Sequence, residues 1–157
     1  MLSHVNEKNQ PQMVDVSQKP VTRRTAKARA VVELPDFVAA QFANGELQTK
    51  KGPVTHTAII AGVMAAKKTA ELIPFCHPLS LDDCKISITF ADSFTMVIEC
   101  SVAVDAKTGV EMEALTGATV AALTVYDMCK ALSHEISVRD IRLVEKRGGK
   151  SDYELQS

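Results

Sequence analysis

The chain has 157 residues, with 18 Lys+Arg against 19 Asp+Glu, 46% hydrophobic and 24% charged residues. That balance is globular rather than disordered, and a chain this long buries roughly 68–70% of its unfolded surface in one domain. A net charge of −1, 4% aromatics and no Trp argue against a general nucleic-acid or anionic-membrane binder and against base stacking on single strands.

Residues 1–20 are polar and contain no apolar signal-peptide run, so they read as a flexible N-terminal arm. The β-branched run at 29–34 predicts a strand. Pro35 opens a short helix to about residue 43, and Asn44-Gly45 ends it. A polar loop with Lys50-Lys51-Gly52 follows. Ile59, Ile60, Val63 and Met64 recur at helical spacing within a predicted helix over 55–72. Pro74 and Pro78 then make 74–79 a stiff, shaped loop, because neither a helix nor a central strand tolerates that pair.

Alternation predicts strands at 85–90 and 97–104, joined by a short hairpin link. Lys107-Thr108-Gly109 is a turn, 113–132 a long Ala- and Leu-rich helix, and 140–145 a last strand. Residues 148–157 read as a mobile tail, leaving a single α+β domain over 21–147. Strands adjacent in sequence, with helices between the others, predict a ferredoxin-like antiparallel sheet with helices packed on one face. The small apolar helices predict further burial between subunits, hence an oligomer.

Cys76, Cys84, Cys100 and Cys129 show no C-x-x-C spacing and read as reduced cysteines of a cytoplasmic protein. The longest apolar run, at 58–66, is too short to span a bilayer.

Asp127 and Lys130 are i and i+3, so the long helix sets an acid beside a base, on a face shared with Thr116, Val120, Leu123 and Thr124. Partial desolvation there suits acid/base chemistry, and an ordinary surface ion pair is the alternative. Glu111 and Glu113 are a second carboxylate pair, for acid and base roles or for the helix N-terminus. His77 beside Cys76 in the stiff loop is an acid/base or binding group, or a histidine bonded to backbone in a turn. Lys50-Lys51-Gly52 and Arg139, Arg142, Lys146, Arg147 and Lys150 are concentrations of positive charge for an anion, or solvated surface. Gly149-Lys150-Ser151 is not a phosphate-binding P-loop, since Val144 stands where the leading glycine belongs. If the long helix starts at Glu113, Asp127 lies fourteen residues on, or roughly 21 Å away. Both ends serve one small reacting centre only across a subunit boundary, or at opposite ends of a long ligand.

The segments Met13-Val14-Asp15-Val16-Ser17, Lys51-Gly52, Leu72-Ile73-Pro74-Phe75-Cys76-His77-Pro78-Leu79, Lys107-Thr108-Gly109-Val110-Glu111-Met112-Glu113-Ala114-Leu115-Thr116, Ala122-Leu123-Thr124-Val125-Tyr126-Asp127-Met128-Cys129-Lys130 and Gly148-Gly149-Lys150-Ser151 resemble the cyclic pyranopterin monophosphate synthase family of molybdenum cofactor biosynthesis. The resemblance runs from about residue 13 to 152, with Phe75 standing where the family commonly has Leu. It implies a lyase converting (8S)-3′,8-cyclo-7,8-dihydroguanosine 5′-triphosphate to cyclic pyranopterin monophosphate and diphosphate. It also implies a ferredoxin-like subunit in a homo-hexamer, a trimer of dimers, with active sites at subunit interfaces, while the composition leaves neither nucleic acid nor membrane as an expected partner.

Carried over by residue, Lys51, His77, Asp127 and Lys130 are the expected catalytic residues. Phe75, Cys76, His77, Glu111, Met112, Glu113, Arg24, Lys146 and Lys150 are the expected substrate contacts. No metal site and no tightly bound cofactor is expected, with Mg²⁺ as a candidate companion of the triphosphate. Two other readings are an RNA-binding ferredoxin-like module and a metal-dependent purine-triphosphate cyclohydrolase. The near-zero charge and lack of an aromatic strand pattern speak against the first, and the lack of a metal-ligand set against the second.

Overall fold

A computed structural model describes residues 4–156. Residues 1–3 of the predicted arm and residue 157 of the predicted tail lie outside them. In chain order the elements are β1 (Thr22–Glu33), α1 (Asp36–Ala39), β2 (Gln48–Thr49), β3 (Gly52–Pro53), α2 (Val54–Lys67), α3 (Thr69–Leu72), β4 (Asp83–Phe90), β5 (Thr95–Ala106), α4 (Glu111–Cys129), β6 (Ser137–Arg147) and β7 (Tyr153–Glu154). The main sheet runs β4-β5-β1-β6-β7, and every neighbouring pair is antiparallel. β2 and β3 form a separate small hairpin.

The sheet is two-faced because its strands alternate. Ala26, Ala28, Ala30 and Val32 of β1 join Met96, Ile98, Cys100, Val102 and Val104 of β5 in the core. Lys27, Arg29, Lys85, Ser87 and Glu99 occupy alternate positions, pointing the other way. α4 lies across β1, β5 and β6, and α2 packs on α4 and β4, so both long helices cover one face. Small residues let them approach. A Cβ on Gly62 would stand 2.8 Å from the Gly117 carbonyl oxygen, and one on Gly117 would stand 2.6 Å from Cys100 Sγ.

Several boundaries differ from the sequence reading, each for a physical reason. β1 begins at Thr22, well before residue 29. Its inward positions are alanines, which signal a strand weakly, and its outward ones are charged. β6 spans Ser137–Arg147, longer than 140–145. Register shifts opposite Lys27/Ala28 and Arg29/Val31 break its period, and Asp140 sits at φ 54°. The helix predicted over 55–72 is α2 and α3, separated at Lys68. There the Thr69 hydroxyl donates to the Ala66 carbonyl at 3.0 Å. The polar loop contains the β2–β3 hairpin. In the segment read as a tail, Tyr153–Glu154 pairs with Lys146 and Glu145 of β6. Cys100 and Cys129 are buried, Cys76 and Cys84 half-buried, and all four are free thiols.

Candidate active site

The side chains expected at the site gather at the two ends of α4. At its N-terminal end, a cavity of about 300 Å³ is lined by Val14, Val16 and Lys19 of the arm, by Phe75, Cys76 and His77 of the proline-braced loop, and by Glu111, Met112 and Glu113. His77 Nε2 is 2.7 Å from the Val14 carbonyl oxygen. The acceptor is a carbonyl, so Nε2 carries the proton and donates it.

Glu113 is 4% exposed. Burial pushes its carboxyl up to about 7; its own amide pulls back, and the charge of Glu111 adds to the rise. Burial, then the Glu113 charge, raises the Cys76 thiol as well, so Cys76 serves as cavity wall rather than as a thiolate.

A second cavity, of about 220 Å³, shares Lys19, Thr108, Gly109 and Glu111 with the first. Arg24, Lys146, Arg147 and Lys150 line the rest with positive charge. Lys146 Nζ is 2.9 Å from Glu111 Oε1, and Arg24 Nε donates to the Ala106 carbonyl at 2.9 Å. Arg23 and Arg24 are neighbours on β1. Arg23 pairs with Asp82 at 2.8 Å on the other side of the strand, and Arg24 lines the cavity. Gly148 runs so close to β1 that a Cβ there would stand 1.8 Å from the Arg23 carbonyl oxygen. This contact holds the Lys150 segment over the cavity. The two cavities therefore adjoin along these shared residues as a trough, cationic at one end and lined by apolar side chains and a protonatable carboxyl at the other.

At the C-terminal end of α4, Asp127 stands between two lysines. Lys130 Nζ is 2.8 Å from Oδ1 and Lys51 Nζ 2.9 Å from Oδ2; Lys51 Nζ also lies 3.2 Å from the Asp127 carbonyl oxygen. These two ammonium groups, Lys130 first, hold the Asp127 carboxyl down at about 2, and Asp127 raises Lys130 in return. The expected partial desolvation does not hold in the single chain. The Asp127 side chain is 51% exposed, and Leu123 on the same face is 53% exposed. A cavity of about 770 Å³ opens beside the triad.

The cationic end of the trough suits an anion, and the match that decides the family runs along most of the chain. The sequence pattern of the MoaC family matches residues 13–149. The chain belongs to the MoaC family. A MoaC relative from Xanthomonas oryzae pv. oryzae, cyclic pyranopterin monophosphate synthase, is 55% identical over 151 residues, covering 96% of this chain and 92% of the relative. The molybdenum cofactor biosynthesis bifunctional protein of Synechocystis is 50% identical over 156 residues, covering 97% of this chain and 45% of that longer protein. Molybdenum cofactor biosynthesis protein 1 of Dictyostelium discoideum is 47% identical over 166 residues, covering 95% of this chain and 26% of that protein.

Two groups of the residues expected from sequence come together, and they stay apart from each other. Arg24, Phe75, Cys76, His77, Glu111, Met112, Glu113, Lys146 and Lys150 share the trough. Lys51, Asp127 and Lys130 form the triad at the far end of α4, roughly 21 Å along the helix from Glu113. Sequence reasoning missed Lys19, a cation bordering both halves of the trough. Its signal was its place two residues beyond the Met13–Ser17 motif. Among the described residues, no group of three or more His, Cys, Asp or Glu side chains gathers as a metal-holding set. No described helix is long and apolar enough to cross a membrane.

Proposed function

We infer that this chain is a cyclic pyranopterin monophosphate synthase, a lyase of molybdenum cofactor biosynthesis. One observation carries the reading beyond the family match: the trough joins a cationic end to a buried carboxyl that titrates near 7. A ring-bearing triphosphate needs those two environments together. The substrate in this reading is (8S)-3′,8-cyclo-7,8-dihydroguanosine 5′-triphosphate, and the products are cyclic pyranopterin monophosphate and diphosphate.

The triphosphate lies along Lys19, Arg24, Lys146 and Lys150, with Mg²⁺ as a candidate companion. The ring lies against Phe75, Cys76, His77 and Met112. Closing the cyclic phosphate joins a sugar hydroxyl oxygen to the α-phosphorus and breaks its bond to the departing diphosphate. The hydroxyl proton passes to a base, and cations stabilise the charge on the leaving group. Asp127, ionised down to about pH 2, takes the role of proton acceptor, with Lys130 as the paired acid and Lys51 stabilising charge. Glu113 holds or releases a proton at the ring end, a role its burial supports more strongly than edge binding alone.

For the triad to act on the same molecule, a second subunit must bring its α4 C-terminal end to the trough. The reading therefore includes a homo-hexamer, a trimer of dimers with active sites at interfaces. Ile60 and Met64 on α2 and Leu123 on α4 support a covered helical surface, being 61%, 49% and 53% exposed in the single chain. The strand order β4-β5-β1-β6, with α2 and α4 as the two crossings, supports a ferredoxin-like subunit. A cytoplasmic location suits four free thiols.

The test is incubation of the purified chain with the cyclised nucleotide, following diphosphate and pterin product together. Release of neither refutes the assignment. A purified Asp127→Asn variant that converts substrate at the wild-type rate removes Asp127 from the chemistry, and sedimentation of a fully active lone polypeptide removes the shared site.

A further inference from the structure

Lys51 sits at the tip of a hairpin too small to hold itself. β2 and β3 contribute two residues each, Gln48↔Pro53 and Thr49↔Gly52, and an isolated hairpin even of ordinary length is marginal in water. Gly52, at φ 115°, makes the turn. Something outside the hairpin must fix its base, because the four-carbon lysine stem by itself does not place the ammonium.

A single carboxylate does this. Glu46 Oε1 accepts the backbone N–H groups of Leu47 and Thr55, each at 2.8 Å. Its Oε2 accepts the Thr55 hydroxyl at 2.6 Å and the His56 N–H at 3.2 Å. Leu47 enters the hairpin and Thr55 leaves it, so one side chain ties both strands at the base. The Val54 N–H to Leu47 carbonyl bond, 3.0 Å, closes the same loop. The same contacts satisfy the free N–H groups at the start of α2, whose N-cap residue Pro53 offers no side-chain cap.

Burial opposes the charge on Glu46, but the hydrogen bonds from Thr55, Leu47 and His56 outweigh it and hold the carboxyl down at about 2. The clamp therefore stays ionised at any working pH. It also lies close to the far end of α4. The buried Cys129 thiol, two residues beyond Asp127, is raised to about 11 by burial first and then by the Glu46 charge.

We propose that Glu46 is a positioning residue for Lys51: it clamps the base of the β2–β3 hairpin against α2 and so sets the Lys51 ammonium on Asp127. This rests on the reading of Lys51 as a group acting on the substrate. The test uses the full chain carrying Glu46→Gln, assayed for diphosphate release and examined by NMR of its ¹³C-methylated lysines. The Lys51 signal is assigned by its loss in Lys51→Ala. The glutamine variant is expected to lose roughly ten- to a hundredfold in kcat, the scale of a small misplacement at a reacting centre, with KM within about twofold. Of the lysine signals, the one from Lys51 moves.

Wild-type kcat, an unmoved Lys51 signal, or a shift of all lysine signals together overturns the proposal. If the glutamine variant does not fold, Glu46→Asp, which keeps the charge on a shorter stem, is read by the same criteria. If Lys51→Ala turns over at the wild-type rate, the reading of Lys51 has failed and the clamp has no reacting group to position. If Lys51→Ala is slow while the Glu46 variant is normal, the clamp alone has failed.

Discussion

The two ends of α4 carry the same residue types and treat them in opposite ways. Glu113, in the first turn, is buried beside another carboxylate, and its carboxyl rises to about 7. Asp127, in the last turn, is half-exposed between two lysines, and its carboxyl falls to about 2. The helix supplies both side chains, and their environments decide which holds a proton at neutral pH. One helix thus offers a proton-holding carboxyl at one end and a permanently ionised one at the other.

Removing the proton-holding group tests that contrast most severely. Glu113→Gln is expected to lower kcat about 10²–10⁴-fold, the usual span for a general acid or base, and to abolish an inflection near pH 7 in the wild-type pH–rate profile. An unchanged profile gives the inflection to another group. At the opposite end, Lys51→Ala is expected to lower diphosphate release about 10²–10³-fold, as when one charge-stabilising donor is lost. Equal turnover of the variant and the wild type dismisses Lys51 from the reaction.

Stability sharpens the same contrast. The folded-state pKa of Glu113 is raised from 4.5 to about 7, so the folded chain holds that proton more tightly than the unfolded one. Its contribution is full below pH 4.5 and is lost as pH rises through 7, by roughly 3 kcal/mol for a shift of this size. Urea unfolding at pH 5 and pH 8 should therefore show a steeper loss in the wild type than in Glu113→Gln. Parallel losses in both proteins place the pH dependence elsewhere. Asp127 has the opposite sign: its depressed carboxyl favours the fold above its ordinary 3.8, with that benefit fading as pH falls toward 2. The smallest effect belongs to the cavity wall. Phe75→Leu exchanges one apolar side chain for another at a site 38% exposed, and KM is expected to change by less than about threefold, within the range of modest apolar swaps. A tenfold change makes Phe75 a specificity contact.

Much of the fold could be read from local pattern. The alternation in β4 and β5, the long helix around Ala114 to Val125 and the proline-braced loop at 74–79 are all present where expected. The front half of β1 is hard to read because Ala26 and Ala28 carry little strand preference, yet these small side chains face the helices that cover the sheet. β6 is longer than its pattern suggests because its register shifts break the period of two. At the site, the Asp127–Lys130 pair was legible because i,i+3 adjacency is a property of any helix. Its expected desolvation is not met in the single chain, since helix periodicity says which residues share a face and not whether that face is covered.

The sequence alone determined the order of the four long strands and the two long helices, the stiff histidine loop, the spacing along α4 and the family resemblance. Those depend on residues close in the chain, where geometry is nearly context-free. Tertiary structure decided the rest: that the arm brings Val14 to His77 and Lys19 to the trough, that Arg24 rather than Arg23 faces the cations of β6, and that Glu113 is the carboxyl pushed toward neutrality. Desolvation and long-range charge depend on which distant segments cover a group. No local pattern contains that information until the sheet and its helices have closed.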